Sequence, residues 1–396
     1  MDIIGGRPAR AGPQPPLPRR AHTWRTLTVV AHPTDPTPAR APAATRTAGR
    51  IRGLDAARAL AIFGMVTVHF GPFPVRGDDL ASAAYRVPYG RASVLFAFVA
   101  GVGVALLSGD GSAPRVRSAG RRLVLRAALL FPLGVALQKL PTGVAVILQY
   151  YAIYFLIAAA ALRLADRWLL ALAGSLTLAG PMAIVLAQRA EPSWFDAGGN
   201  VGIRAPVALL RALVISGYYP VLSWAPVVLF GIWIGRRDLH APGVHRRLVA
   251  CGAGVAAAAH GLSAALVGVV GRAAEEDGSW RQLALSDGHS EMPLAIIGAT
   301  AVAVAIVGLA MLLTDWLPRV SWPLVAAGQL ALTVYVAHLL VLAATPELLR
   351  AATVEQGVLS VARFVLFVVT VTAVWRLRFA RGPIEALFHQ LTSRKG

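Results

Sequence analysis

The sequence is poor in charge, in lysine and in cysteine. Only 14% of its 396 residues are charged, whereas 56% are hydrophobic, and a soluble globular domain carries about 25% charged residues. So few charges cannot cover a water-facing surface, which excludes a soluble enzyme and a disordered chain. The single cysteine, Cys251, excludes a disulfide framework and a thiolate metal cluster. No metal site is expected.

The formal net charge of +19 comes from 38 basic residues, of which only Lys139 and Lys395 are lysines. Such a bias towards arginine is typical of a GC-rich genome rather than of a phosphate-binding surface. We therefore expect a lipid bilayer, and no nucleic acid, as the macromolecular partner.

Residues 1–49 differ in composition from the rest of the chain. They are rich in Arg, Pro, Ala and Thr, and their longest apolar run is Val29-Val30-Ala31. That run is too short for the core of a signal peptide, and the frequent prolines prevent a helix. The segment is predicted to be a disordered cytoplasmic tail, or the product of a start codon placed too far upstream, followed by a membrane domain over residues 50–396.

Apolar stretches of about twenty residues, the length that crosses a bilayer core, recur after the tail. They predict an all-α fold, a polytopic transmembrane helical bundle of about ten spans. The predicted spans are 54–70, 91–108, 121–138, 143–162, 168–187, 219–235, 248–270, 293–313, 323–344 and 358–375. The stretch 204–217 is shorter and carries Arg204 and Arg211, which favours an interfacial helix.

Arginines indicate which ends of the spans face the cytoplasm. If the tail is cytoplasmic, so are loops 109–120, 163–167, 236–247 and 314–322, which are short and rich in arginine. The opposite loop 271–292 is longer and mostly acidic. Positive charge concentrates in cytoplasmic loops, so we expect a multi-pass protein of the cell (plasma) membrane with both termini in the cytoplasm.

Small residues recur at four-residue intervals in two spans, as expected where helices pack closely in a membrane. The rows are Ala97, Gly101 and Ala105 in the second span, and Gly252, Ala256, Ala264 and Gly268 in the seventh. His260 falls in the second row and is interpreted as a packing residue. The sequence shows neither an inverted repeat nor a matched pair of broken helices.

The first span carries three ionisable residues on one face. Arg58 and His69 lie about 20° apart around the helix, and about 21 Å along its axis separates Asp55 from His69. Asp55 is interpreted as a helix cap or first-turn acid with Arg58 as its partner. Alternatively, Arg58 contributes to a pocket for an anionic cofactor together with Arg122 and Arg126, for which the positive-inside rule is the competing explanation.

Polar residues on four spans are predicted in the outer third of the membrane, where a buried ionisable group needs a partner or a purpose. They are His69, Arg91, Gln149, Tyr150, Tyr335 and His338. The histidines suit a general base, the arginine suits an oxyanion, and the other three suit substrate contacts. The alternatives are headgroup-level placement for His69, snorkelling for Arg91 and an aromatic belt for the tyrosines.

Two parts of the chain resemble known families of bacterial membrane proteins. Residues 50–165 are similar to the heparan-α-glucosaminide N-acetyltransferase catalytic domain, through Arg50-Ile-Arg-Gly-Leu-Asp55-Ala-Ala-Arg58, Met65-Val-Thr-Val-His69 and Gly90-Arg91-Ala-Ser-Val-Leu-Phe96. Residues 320–396 resemble the DUF418 family, through Gly328-Gln329-Leu-Ala-Leu-Thr-Val-Tyr335-Val-Ala-His338 and Gly382-Pro383-Ile-Glu385. Segment 71–90 contains no histidine, although the acetyltransferases carry their catalytic histidine there. His69 would have to replace it.

The resemblance implies a bundle that moves an acetyl group from cytosolic acetyl-CoA to an amino sugar across the membrane. Acetyl-CoA or another acyl-CoA is then a donor substrate, not a tightly bound cofactor, and its phosphates would meet the cytoplasmic arginines. We predict a membrane acyltransferase-like protein that acts on a glycan or another extracytoplasmic hydroxyl or amine acceptor. The alternative is a transporter or flippase for a small polar or lipid-linked substrate. The sequence is also consistent with a non-catalytic membrane scaffold and with an oligomeric protein.

Overall fold

The computed structural model describes residues 50–72, 75, 77, 79–196, 205–274, 277–349 and 351–393. The predicted tail and Arg204 lie outside these residues. Within them every regular element is helical, which confirms the all-α prediction. The α-helices are α1 (Arg52–Phe70), α2 (Leu80–Arg86), α3 (Arg91–Ser108), α4 (Ala113–Gln138), α5 (Leu148–Ala161), α6 (Asp166–Ala190), α7 (Pro206–Arg211), α8 (Val221–Gly235), α9 (Val244–Val270), α10 (Pro293–Trp316), α11 (Trp322–Gln329), α12 (Ala331–Ala344), α13 (Pro346–Leu349), α14 (Val354–Arg378) and α15 (Pro383–Ser393). A π-helix spans Ala212–Ser216, and 3-10 turns span Pro192–Trp194 and Trp280–Ala284.

Proline and glycine set many of the helix ends. Proline occupies the first or second position of α4, α7, α10 and α11, where its missing N–H loses no intrahelical bond. Helices α3 and α9 are followed by Gly109 and Gly271, whose φ angles of 61° and 80°, combined with ψ angles of −122° and 154°, suit only glycine. Because these signals flank the apolar stretches, each predicted span coincides with a helix or a bent pair of helices.

Six helical segments are long and apolar enough to cross a membrane: α1, α2–α3 (Leu80–Ser108), α6, α9, α10 and α14. Up to eight spans result if two bent pairs count, namely Pro206–Ser216 with α8, bent by 57°, and α11 with α12, bent by 77°. Two bent helix pairs are thus present, although the sequence showed no matched pair of broken helices. The bend at Leu330 divides the single predicted span 323–344, whereas the other bend falls between the predicted interfacial stretch 204–217 and the span 219–235. The other two predicted spans fall on α4, which is rich in arginine, and on α5, which has only 14 residues.

Helix α1 lies at the centre of the bundle. It packs against α3, α10, α11, α12 and α14, and its alanines Ala56, Ala57 and Ala61 are fully buried. Helix α11 comes so close that a Cβ atom on Gly328 would lie 1.7 Å from the carbonyl oxygen of Asp55. The glycine of the DUF418-like motif therefore allows α11 to end against α1.

The small-residue rows are packing faces over most of their length. A Cβ atom on Gly101 of α3 would lie 2.2 Å from the Val228 carbonyl oxygen of α8, and Gly252 of α9 meets α10 in the same way. The prediction of close packing is wrong for the end of the second row, because Ala264 and Gly268 are exposed. There α9 extends beyond the start of α10, so the small residues meet no neighbour in the described chain.

Both ends of the described membrane domain lie at one end of the bundle. The side chain of Gln329 on α11 donates a hydrogen bond of 3.3 Å to Asp55, near the start of α1. The carboxylate of Glu385 on α15 accepts hydrogen bonds from the backbone N–H groups of Leu332 and Thr333, at the start of α12. We call this the Asp55 end, and the opposite end, where α1 stops, the His69 end. This arrangement requires an even number of crossings, which the ten predicted spans satisfy.

Candidate functional site

Two histidines from distant parts of the chain are in contact at the His69 end. Nδ1 of His69, in the last turn of α1, lies 3.1 Å from Nε2 of His338 on α12. The two rings stack with their centroids 5.3 Å apart and an interplanar angle of 11°. His338 is completely buried. The sequence predicted both residues at this level of the membrane, and the structure brings them together.

The contact between the two histidines can be made in two ways. Nδ1 of His338 is buried without a hydrogen-bond partner in the described structure, and Nε2 of His338 faces Nδ1 of His69. Either ring can donate in this contact, according to its tautomer. When His69 donates from Nδ1, its Nε2 carries a lone pair and no proton, which is the form that a general base needs.

A cavity of about 800 Å³ lies beside His69. Its walls come from the end of α1, the segment before α5, the end of α6, the break before α8 and the loop between α9 and α10. The polar side chains that line it are His69, Tyr89, Thr142, Gln188, Ser216, Tyr218, Tyr219, Gln282, His289, Ser290 and Glu291. This volume suits a small-molecule or sugar ligand. His338 does not line it and contacts His69 from behind.

Part of the cavity wall is a strained loop that carries a histidine and a carboxylate. His289 and Glu291 have φ angles of 63° and 61°, a left-handed conformation that residues with a Cβ atom adopt at a cost. The indole N–H of Trp224 donates a hydrogen bond of 3.1 Å to Glu291. Strain of this kind clusters at binding sites, which favours a ligand-binding role for this loop.

Aromatic rings enclose His289. The ring centroids of Tyr89, Tyr219 and Trp224 lie 5.0, 5.6 and 5.9 Å from that of His289. The loss of hydration in this cage lowers the pKa of His289 to about 4, although the backbone carbonyl of Tyr218 opposes the shift by hydrogen bonding to the ring. His289 is therefore neutral at neutral pH.

The three predicted substrate contacts lie behind the cavity wall. The ring of Tyr335 lies 5.1 Å from that of His338, and its hydroxyl accepts a hydrogen bond from the backbone N–H of Ile147. Gln149 and Tyr150 are buried, and Tyr150 packs edge-on against the cavity residue Tyr219. In the structure these residues support the wall and do not line it.

Arg91 lies apart from the histidine pair. Its guanidinium donates hydrogen bonds of 3.2 Å to the carbonyl of Val87 and to Nε2 of His260, and it does not line the 800 Å³ cavity. This placement corrects the oxyanion role predicted for Arg91 beside His69, because the start of α3 faces α9. His260 packs against Gly298 as expected, but it also holds Arg91.

At the Asp55 end, a buried carboxylate joins α1 to its surroundings. Asp55 is 1% exposed and accepts hydrogen bonds of 2.6 Å from Arg58 and 2.5 Å from Arg50. Gln329 completes the set. The N-cap position of α1 is Ile51, so Asp55 is the predicted first-turn acid with Arg58 as its partner, and not a cap.

The other two predicted cofactor residues lie near Arg58. Arg126 is close enough to both Arg58 and Arg122 for their charges to repel. In the part of the chain that the structure describes, neither Arg122 nor Arg126 has a carboxylate within 4.0 Å. Three neighbouring cations with one carboxylate, which is itself shared with Arg50, favour an anionic ligand at this end.

Aromatic rings connect the two ends of the bundle. From His338 they run through Tyr335 and Phe96 to Tyr151, with successive centroids 5.1, 6.3 and 5.2 Å apart. Tyr151 is close enough to Arg58 to interact with its charge. Its hydroxyl is buried without a hydrogen-bond partner in the described structure. Tyr151 is therefore a free donor between the arginines and the histidine pair.

Sequence reasoning missed His289, Glu291 and Tyr151. The polar run Gly288-His289-Ser290-Glu291 directly precedes an apolar span and could have drawn attention, but it contributed only to the orientation argument. Nothing in the sequence distinguishes Tyr151 from its neighbour Tyr150. In the described residues, no group of three His, Cys, Asp or Glu side chains could hold a metal ion.

Comparisons with known proteins agree with the resemblance found in the sequence. Residues 50–272 match the family model described as heparan-alpha-glucosaminide N-acetyltransferase, catalytic. Residues 234–395 match the model described as protein of unknown function (DUF418). The first match continues past residue 165, the second begins well before residue 320, and the two overlap at 234–272. No curated protein sequence matches the chain.

Proposed function

The chain belongs to the heparan-α-glucosaminide N-acetyltransferase catalytic family, and we propose that it is a multi-pass membrane acyltransferase that uses a cytosolic acyl-CoA. The acceptor is an extracytoplasmic sugar or another compound with a free hydroxyl or amine, bound in the 800 Å³ cavity. The observation that carries this proposal is the contact of His69 with His338 at the wall of that cavity.

His69 is the general base in this mechanism. Its Nε2 takes the proton from the acceptor as the acceptor oxygen or nitrogen attacks the thioester carbonyl. When the tetrahedral adduct collapses, the C–S bond breaks and the CoA thiolate takes that proton from His69. His338 is a positioning residue, because it accepts the N–H of His69 and fixes the orientation of the ring. Glu291 and His289 hydrogen-bond the hydroxyl or amine groups of the acceptor.

The donor approaches from the Asp55 end. Arg58, Arg122 and Arg126 bind the CoA phosphates, for which guanidinium groups are well suited. Arg58 and His69 are eleven residues apart on α1, about 16 Å along its axis, and the thioester arm of the donor spans this distance beside the aromatic rings. The free hydroxyl of Tyr151 donates a hydrogen bond to an amide carbonyl of that arm.

We further propose a topology of ten spans in the cell membrane, with the Asp55 end in the cytoplasm. The arginine-rich loops lie at that end, as the positive-inside rule requires. Helices α4 and α5 pack on each other and form the crossings that complete the ten.

Binding of the donor tests the proposal directly. We expect micromolar acetyl-CoA to raise the thermal unfolding temperature of the detergent-purified protein. Arg126→Gln, which leaves the ion pair of Arg58 with Asp55 intact, weakens the apparent affinity about tenfold, since one charged contact to a phosphate contributes about 1.4 kcal/mol. Arg121→Gln, at an exposed position on the same helix, is the control. Equal stabilisation of all three proteins, or none, contradicts the proposal.

The two bent helix pairs favour a second candidate function. Broken helices commonly form substrate sites at the midplane of transporters, and His338 lies on α12, the second helix of one of these bent pairs. Proteoliposomes loaded with radiolabelled amino sugars distinguish the candidates. Solute flux without acetyl-CoA, combined with no release of free CoA thiol, favours a transporter.

A further inference from the structure

Three arginines converge on a groove at the outside of the bundle. Two cavities of about 450 Å³ each share Arg86, Arg91 and His260 in their walls, and we call the combined space the lateral groove. One of the two cavities is also lined by Arg272 and Asp287. The arginines come from α2, from the start of α3 and from the segment after α9, so a single snorkelling helix does not explain their convergence.

The lateral groove has positive charge and unused hydrogen-bond donors. Arg91 donates to a backbone carbonyl and to His260, and one nitrogen of Arg86 donates to two loop carbonyls. An arginine has five N–H groups, so both guanidinium groups have donors left within the described structure. Asp287, the one acid among the described lining residues, already pairs with Arg272 at 2.7 Å. The groove therefore suits an anion.

The remainder of the lateral groove is apolar and faces outward. Its lining includes Ala83, Val87, Ala256, Ala257 and Val302, and Val87 is 57% exposed. Only 17% of the 18-residue apolar stretch of α9 is buried, the lowest share among the six long apolar helical segments. The exposed face of α9 runs from Ala257 to Val270, about 20 Å along the helix axis, which exceeds the ~15 Å hydrocarbon layer of one leaflet.

We propose that the lateral groove binds one net-anionic phospholipid of the surrounding leaflet. Its phosphate lies between Arg86, Arg91 and Arg272, where guanidinium groups form charge-assisted hydrogen bonds to phosphate oxygens. One of its acyl chains runs along the exposed face of α9. A soluble anion would use the arginines and leave the apolar half uncovered, whereas an amphiphile covers both.

A lipid at this position supports the acceptor cavity. Tyr89 lines both the lateral groove and the 800 Å³ cavity, and its ring packs against His289. Lipid binding does not require acyl transfer, so it can be measured without any acyl-CoA.

Lipid titration of the purified protein in a neutral maltoside detergent tests the proposal. Native mass spectrometry counts bound phosphatidylglycerol, and the unfolding temperature reports its affinity. We expect one tightly bound phosphatidylglycerol in the unmodified protein. The double variant Arg86→Gln/Arg272→Gln weakens this binding at least tenfold, and the control Arg281→Gln, on the same loop outside the groove, does not. Arg91 stays unchanged, because its bonds connect α3 to α9.

A second pair of variants leaves the arginines intact. Ala257→Phe fills the apolar half of the groove and should also weaken binding at least tenfold, whereas Ala258→Phe, at the next exposed position of α9, should not. The proposal is overturned if phosphatidylcholine binds as tightly as phosphatidylglycerol, because charge is then not recognised. It is equally overturned if inorganic phosphate stabilises the protein as well as the lipid does, or if the groove variants bind like their controls.

Discussion

At the scale of single residues, the site depends on polar side chains that the fold keeps paired in apolar surroundings. Asp55 is buried with two arginines and a glutamine, and each of these partners offsets part of the cost of its charge. The histidines have different partners from Asp55. His69 and His338 pair with each other, and His289 is enclosed by aromatic rings. Neutral imidazoles of this kind can accept protons from a substrate.

The pKa of His289 predicts a loss of stability in acid. The unfolded chain takes up a proton near pH 6.5 and the folded protein only near pH 4, so this contribution is complete above pH 6.5 and is lost as the pH falls to about 4. The difference corresponds to about 3 kcal/mol at most. We expect His289→Gln to flatten the fall of the unfolding temperature between pH 6.5 and 4. An unchanged slope would show that His289 does not contribute.

At the scale of elements, α12 determines where His338 lies. Helix α11 ends against α1 at Gly328, the chain bends by 77°, and α12 begins at Ala331. Glu385 then holds the first turn of α12 through the backbone N–H groups of Leu332 and Thr333. An acid is favourable at a helix N-terminus, and this contact connects the Gly-Pro-Ile-Glu segment at residues 382–385 to the helix that carries His338, about two turns further along.

Loss of this contact should affect both stability and catalysis. Glu385→Ala removes the acceptor of two backbone N–H groups, which costs about 1–2 kcal/mol, and allows α12 to shift. We expect a lower unfolding temperature together with a slower turnover number at an unchanged Michaelis constant for acyl-CoA. Glu355→Ala, at the exposed first turn of α14, is the matched control. A lower unfolding temperature with an unchanged turnover number would show that Glu385 stabilises α12 but does not position His338 for catalysis.

At the scale of the whole molecule, the proposed ten-span topology makes a prediction about accessibility. Because Cys251 is the only cysteine, Cys251→Ser provides a background for single cysteines in intact cells. A membrane-impermeant maleimide should label Lys139→Cys and Arg281→Cys from outside, and Asp110→Cys only after permeabilisation. Lys139 follows α4 directly. If Lys139→Cys behaves like Asp110→Cys, α4 and α5 do not cross, and eight spans remain.

Much of the fold could be predicted from the sequence, whereas the site could be predicted only in part. Apolar length, glycine and proline fixed the helices because these signals act locally. The bend between α11 and α12 was missed, since apolar residues continue through Leu330, whereas the break before α8 falls where the sequence separates stretch 204–217 from span 219–235. The sequence predicted His69 and His338 at the same level of the membrane, but it could not show that α1 and α12 bring the two side chains together. The pairing of Arg91 with His260 joins α3 to α9, and no local pattern in the sequence predicts a contact between residues so far apart in the chain.

The central claim is that His69 removes the proton from the acceptor and that His338 only orients the ring of His69. The most direct measurement is acyl transfer in proteoliposomes, followed as CoA thiol release between pH 6 and 9 with a panel of sugar, hydroxyl and amine acceptors. We predict that His69→Gln loses at least about 100-fold in rate, that His338→Gln loses about tenfold with an altered pH profile, and that the exposed control His240→Gln is unaffected. A His69→Gln protein that keeps its activity within about twofold would contradict the account.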